Sequence, residues 1–277
     1  MRVFLLPIST QRTLLYCQKL QALPMHKQTL VDRITHRAAK LWTDWERRER
    51  GWQKQVATYG NHLLRRIPYE EWGLKSVPPL STKRRAEEIL GKDENHLIFP
   101  QTLIPTTKAT HVLRTLGTER EALHRTRLTW CLIGMPISAP FALVPVIPNL
   151  PFFYLAYRAW SHWRALAGGK HIRFLCDNNI LSLSPSSVLD SIYSPRLPSP
   201  LASKAPKVEK VASPPSDDPN ESEEKLLLSQ EKGHELVKAL EIPELEIELE
   251  RAIWQVETAM RKDMEPKSKS PETARAK

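Results

Sequence analysis

The chain has 277 residues, 41% of them hydrophobic, a formal net charge of +10 and a mean hydropathy of −0.42, values ordinary for a soluble protein of one or two domains. Charge is uneven: residues 1–180 hold 27 Lys+Arg against 13 Asp+Glu (net +14), and residues 181–277 hold 14 against 18 (net −4). Cys17, Cys131 and Cys176 are odd in number and too far apart for a CxxC pair, which excludes a disulfide framework and fits a reducing compartment.

The first basic residues, Arg2, Arg12, Lys19 and Lys27, precede any acid, because the first is Asp32. That bias predicts a mitochondrial targeting segment over residues 1–26, with a basic strand retained in the folded domain as the alternative. The apolar run Val3 to Ile8, interrupted by Pro7, is too short for a secretory signal. From Lys27 to Thr58, Leu30, Ile34, Ala38, Leu41 and Trp45 recur at helical spacing, and Gly51 is the one glycine. This helix either packs on its own domain or lies among lipid head groups, with Trp42, Trp45 and Trp52 as anchors. After an expected break at Tyr59-Gly60-Asn61, Pro68 and Gly73 bracket a short helical turn. Ser81 is placed to cap a helix from Thr82 to Leu90 that stops at Gly91. Glu70-Glu71 and Glu87-Glu88 are adjacent pairs, whose side chains diverge by about 100° on a helix, so neither is a preformed dyad and both read as surface charges.

A further helix from Thr107 or Lys108 feeds into the most unusual segment. Between Arg127 and Arg158 lie thirty residues, Leu128 to Tyr157, without Asp, Glu, Lys, Arg or His, punctuated by Pro136, Pro140, Pro145, Pro148 and Pro151. About 20 apolar residues suffice to cross a bilayer, so the run predicts a membrane-bound chain. A straight helix of that length would reach ~45 Å, beyond a ~30 Å hydrocarbon core, and the prolines forbid it. Two geometries remain. In a hairpin, Leu128 to Val144 enters, the Pro145 to Asn149 segment turns and Leu150 to Trp163 returns; otherwise one broken helix crosses and Phe152 to Leu166 lies in the interface. Four cations on each side (Arg114, Arg120, Arg125, Arg127; Arg158, Arg164, Lys170, Arg173) favour the hairpin, since the ends then share one side. Trp130, Trp160 and Trp163 with Arg125, Arg127, Arg158 and Arg164 are the expected interfacial anchors. Asn149 suits an N-cap for the returning helix.

Ser182 to Asn220, rich in Ser and Pro, is expected to be a disordered linker. Helical patterns return over 221–264, broken by Gly233 and Pro243. There Leu245, Leu249, Ala252, Val256 and Ala259 form a seam for a coiled coil or for docking on the protein's own body. A disordered tail follows over 265–277. The predicted fold class is thus mainly α: a membrane protein with one Pro-broken apolar hairpin or re-entrant segment in a basic helical domain over 27–181, apolar over 128–157, with flanking amphipathic helices. No GxGxxG, GxxxxGK[ST], GxSxG or HExxH occurs, so the sequence predicts neither an enzyme nor a cofactor or metal. The polar inventory of the apolar segment makes Asn149 and Ser138 transport candidates. His162 is added either as a proton shuttle or as a residue that hydrogen-bonds a carbonyl or faces water.

Three strings carry a resemblance: Met1-Arg2-Val3-Phe4-Leu5-Leu6-Pro7-Ile8-Ser9-Thr10; Tyr59-Gly60-Asn61 with Arg65-Arg66-Ile67-Pro68-Tyr69-Glu70-Glu71-Trp72-Gly73-Leu74-Lys75; and Val144 to Phe153 through Tyr157-Arg158-Ala159-Trp160-Ser161-His162-Trp163-Arg164-Ala165-Leu166. Over about residues 1–180 the chain resembles the fungal mitochondrial potassium–proton exchange-related family. The resemblance implies a mitochondrial inner-membrane protein taking part in potassium–proton exchange and matrix volume control, and it supplies no site residues. It implies potassium ion and proton as what is exchanged, and the sparse polar inventory of the apolar segment then calls for further copies of the chain in an oligomer or for other inner-membrane proteins. The basic half beside the apolar run points to anionic lipid head groups and not to nucleic acid. An exchanger subunit and a structural or assembly factor remain the two competing roles. The first is constrained because potassium needs oxygens to replace its hydration shell and the apolar segment contains no carboxylate.

Overall fold

A strand that is apolar at consecutive positions needs cover on both faces, and the N-terminal run has it. In the computed structural model, which describes residues 1–18, 30–91, 94–140, 150–194 and 224–264, Arg2–Pro7 forms β1 and Thr13–Gln18 forms β2. They pair antiparallel from Arg2 opposite Gln18 to Pro7 opposite Thr13. Asn95–Phe99 (β3) pairs parallel with β1, and Leu181–Pro185 (β4) pairs parallel with β3, giving the order β2-β1-β3-β4. The basic N-terminus, for which a targeting segment and a domain strand were both open, therefore supplies two strands of this sheet.

Alternation along β1 and β2 sorts side chains into two cores. Val3, Leu5, Leu15 and Cys17 join Leu97 and Phe99 on one face, under Leu74, Leu113, Ala165 and Ile172. Phe4, Leu6, Leu14 and Tyr16 face the other way, onto Leu236, Leu245, Leu249, Ala252 and Val256. The helices on the first face are α3 (Tyr69–Ser76), α5 (Thr106–Thr118) and α7 (Leu150–Asp177), following α1 (Leu30–Arg47), α2 (Trp52–Arg65) and α4 (Thr82–Ile89). α6 (Glu121–Ser138) packs antiparallel on α7, since His124 meets His162 and Gly134 meets Leu155. The opposite face is covered by α8 (Ser187–Tyr193), α9 (Gln230–Leu240) and α10 (Leu245–Met264).

Close approach explains how α3 sits between the sheet and α7. A Cβ at Gly73 would lie 2.4 Å from the Leu15 carbonyl oxygen, and one at Gly168 would lie 2.0 Å from that of Leu74. Only glycine lets those backbones meet. Gly73 therefore lies inside α3, which continues to Ser76, and does not end it.

Several expectations need correction. The fold is mixed α/β, built on a four-stranded sheet, and not mainly α. Among the described residues no helix is long and apolar enough to cross a membrane. The uncharged run misled because it is divided among elements: it takes in the end of α6, the segment after it and the first turns of α7. Each helix carries charge elsewhere, with Glu121, Arg125 and Arg127 in α6 and Arg158, Arg164, Lys170, Arg173 and Asp177 in α7. Pro136 lies inside α6, Pro140 just beyond it and Pro151 in the first turn of α7; Pro145, Pro148 and Asn149 fall outside the described residues. The long helix over 27–58 is two helices, parted at Gly51 (φ 112°) and packed as a hairpin. Tyr59-Gly60-Asn61 is no break but the middle of α2, where the Trp42 indole lies on Gly60 and donates to Asn61 Oδ1 at 3.0 Å. α4 matches its caps, with Ser81 Oγ accepting from Arg84 N and Gly91 at φ 66°. The α10 seam docks on the chain's own sheet: Leu245, Leu249, Ala252 and Val256 are buried in its core.

Candidate functional site

Adjacent residues of a helix point in different directions, and in α3 this turns Glu71 inward while Glu70 stays half-buried at the edge, paired with Arg120. Glu71 is 1% exposed. Its partners come from one face of α7, where Arg158, Ser161 and His162 stand at i, i+3 and i+4. Arg158 donates to both Glu71 oxygens, at 2.9 and 3.1 Å, and Ser161 Oγ donates to Oε1. Lys75, one turn further along α3, donates to Ser161 Oγ at 3.0 Å. α6 contributes His124, whose Nδ1 lies 3.0 Å from His162 Nδ1.

The donor inventory fixes both tautomers. A guanidinium only donates, so His162 Nε2, 3.0 Å from Arg158 Nη2, must be the bare nitrogen. His162 then carries its proton on Nδ1 and donates to His124 Nδ1, which leaves the His124 proton on Nε2. That buried nitrogen has no partner among the described residues, and His124 lines a water-sized crevice with Leu74, Gly117, Glu121, Ala165 and Lys170. Both imidazoles are neutral in this arrangement. Burial and the Arg158 charge, opposed by Glu71, push His162 down to about 4, and burial also lowers His124. Burial alone would raise the Glu71 carboxyl, but the Ser161 hydrogen bond and the Arg158 charge outweigh it and hold the group below its ordinary range.

Glu71, His124 and His162 bring ligand atoms within 4.8 Å of one another, a set that sequence reasoning did not assemble. Arg158 decides against a metal there. An ion on His162 Nδ1 would force the proton onto Nε2, against the Arg158 N–H donors. The guanidinium takes the role of the cation.

A second buried pair ties α4 to α7. His171 donates from Nδ1 to the Pro78 carbonyl at 2.7 Å, and its Nε2 lies 2.8 and 3.0 Å from the Glu88 oxygens. Because the carbonyl can only accept, the Nε2–carboxyl contact holds one further proton. Glu88 is 2% exposed and His171 fully buried, so Glu71 and Glu88, expected as surface charges, are both interior.

Of the sequence-selected residues that the structure describes, only His162 and Arg158 enter the cluster. Arg158 is 8% exposed and turned inward, away from any interface. Ser138 is buried near the end of α6 and donates to the Met135 carbonyl, apart from the cluster. Trp130 is 68% and Trp163 46% exposed, whereas Trp160 is half-buried beside Tyr157. Arg125 and Arg127 are exposed, and Arg164 donates to the Lys75 carbonyl. Sequence reasoning missed Glu71, His124, Ser161 and Lys75. The one available signal was the string Tyr69 to Lys75 itself, in which two acids directly precede a tryptophan and a glycine inside a resemblance.

The profile of mitochondrial K+-H+ exchange-related proteins matches residues 2–176, which include the whole cluster of α3, α6 and α7 but neither β4 nor α8–α10. An uncharacterized protein of Schizosaccharomyces pombe is 32% identical over 170 residues, 61% of this chain and 72% of that protein. An uncharacterized protein of Saccharomyces cerevisiae is 24% identical over 202 residues, 64% of this chain and 63% of that protein. No solved structure matches the chain.

Proposed function

This chain belongs to the mitochondrial K+-H+ exchange-related family, and from that premise we propose that it takes part in potassium–proton exchange at the inner membrane as a non-enzymatic component of a larger or oligomeric assembly. The observation that carries this reading is how the family-matched cluster is filled. Both Glu71 oxygens are taken by Arg158 and Ser161, and the cation paired with Glu71 is an arginine. Potassium needs a shell of oxygens in place of its water, and this cluster has none to offer. The ion passage is therefore supplied by other members of the assembly, and this protein supports it.

An inner-membrane address is supported by the C-terminal half of α6 and the first turns of α7. Trp130, Leu132, Ile133 and Ile137 on α6 and Phe153 and Tyr154 on α7 are exposed, with the exposed cations Arg125 and Arg127 behind them. Exposed large apolar side chains gathered on the ends of two packed helices suit an interaction site, and cations on the same helix suit anionic head groups at the membrane face. Deletion of the gene followed by potassium-acetate swelling of isolated mitochondria tests the role. Slower swelling, restored by re-expression, is expected; unchanged swelling would overturn it.

A further inference from the structure

Lys75 is the surplus cation of the buried cluster. Three cations, Lys75, Arg158 and Arg251, meet two carboxylates, Glu71 and Glu248, and each carboxylate already has its arginine: Arg158 on Glu71 at 2.9 Å and Arg251 on Glu248 at 2.6 Å. Lys75 Nζ instead sits 3.2 Å from the Trp72 ring centroid and 5.7 Å from that of Tyr157, with Ser161 Oγ as its acceptor. The aromatic faces favour an ammonium modestly, but they and a single hydroxyl acceptor do not replace a carboxylate partner, so a neutral amine can also occupy the site.

The same tryptophan carries the C-terminal helix. Arg251 of α10 lies 4.4 Å over the Trp72 ring. Gln255 of α10 accepts from Tyr69 N at 2.9 Å and donates to the carbonyls of Arg65 and Ile67. α10 is thus seated on the start of α3 and shares the Trp72 ring with Lys75, from outside the family-matched residues.

We propose that Lys75 is a proton-binding site whose occupancy sets how firmly α10 sits on the family core. The groups facing the amine are Glu71 from α3, Tyr157, Arg158 and Ser161 from α7, and Glu248 and Arg251 from α10, while Arg164 holds its backbone carbonyl. Burial pulls the amine down to about 7, opposed by Glu71 and Glu248 and assisted by Arg158 and Arg251. The docked α10 adds burial, which is the largest influence on the amine and opposes an ammonium, while its two charges, Glu248 favouring the ammonium and Arg251 opposing it, are paired with each other and largely offset. Seated α10 therefore favours the neutral amine, and by reciprocity the arriving proton loosens α10. The seated form binds fewer protons than the loosened form, so seating strengthens as pH rises through about 7. This inference stands on the geometry of the cluster and not on the ion-exchange reading, so its failure would leave that reading untouched.

Hydrogen exchange of the full chain, read over residues 245–264 between about pH 6 and 8.5 and corrected for intrinsic exchange, tests it. If α10 shifts the Lys75 titration by about one unit, protection should rise up to about tenfold across that range. Lys75→Met should be protected and flat with pH, and Lys75→Arg, permanently charged, weakly protected and flat. A flat wild-type profile overturns the proposal. So does a slope that Lys75→Arg retains, which also decides the matter if Lys75→Met does not fold.

Discussion

Replacing Glu71 by Leu should be among the most damaging single changes in the protein. Arg158 would remain 8% exposed with its carboxylate gone, and removing one partner of a buried pair costs roughly 3–5 kcal/mol, mainly because the other charge stays buried and unpaired. For a chain of this size, that corresponds to a melting temperature lower by on the order of 10 °C. Arg158→Met should cost a similar amount by stranding Glu71, which would also keep the Ser161 hydrogen bond. The double variant removes both charges and replaces them with apolar groups of comparable volume, so it should be more stable than either single variant. The cycle, measured by urea unfolding and by thermal melts followed by circular dichroism, should give a coupling energy of about 3 kcal/mol, at the upper end for residues in contact. Additive losses, or a Glu71→Leu penalty under about 1 kcal/mol, a size usual for surface ion pairs, would refute the placement of this pair in the interior.

Three further outcomes follow from the same geometry. Burial lowers His124 and His162, so in the folded state they resist protons that the unfolded chain accepts; their contribution is present above about pH 6.5 and is lost as pH falls through the depressed folded values. Replacing both with Asn should flatten that part of the stability–pH curve, while an unchanged slope would mean that the histidines are not neutral in the fold. Gly168→Ala would place a Cβ 2.0 Å from the Leu74 carbonyl oxygen and should cost about 1–3 kcal/mol by parting α3 from α7, whereas a neutral result in urea titrations would contradict that contact. Ile137→Lys, at a position 69% exposed, should leave stability within about 0.5 kcal/mol yet weaken sedimentation with anionic vesicles, and undiminished binding would remove the C-terminal half of α6 from the membrane contact.

What could be read in the sequence and what could not divides by range. The α4 caps at Ser81 and Gly91 depend on neighbouring residues, and local chemistry sufficed to place them. The α10 seam was legible as an apolar stripe, though its partner was not, because Phe4, Leu6 and Tyr16 lie more than two hundred residues earlier. The sheet was harder. β3 and β4 are five-residue strands paired in parallel, so neither has a hairpin turn to announce it. Glu71 and Glu88 looked like surface charges because their partners, Arg158 and His171, are 87 and 83 residues away. The apolar run failed for a different reason: counting uncharged residues ignored that Arg158, Ser161 and His162 continue the same helix and turn its next face into the protein.

As proposed, this family member supports potassium–proton exchange without forming the passage itself. Purified protein reconstituted alone into liposomes, loaded with a pH indicator and given a potassium gradient, tests it most directly. Proton flux should be no faster than in empty liposomes, with exchange appearing only when mitochondrial membrane partners are added. Potassium-dependent proton flux from the lone chain would contradict the proposal.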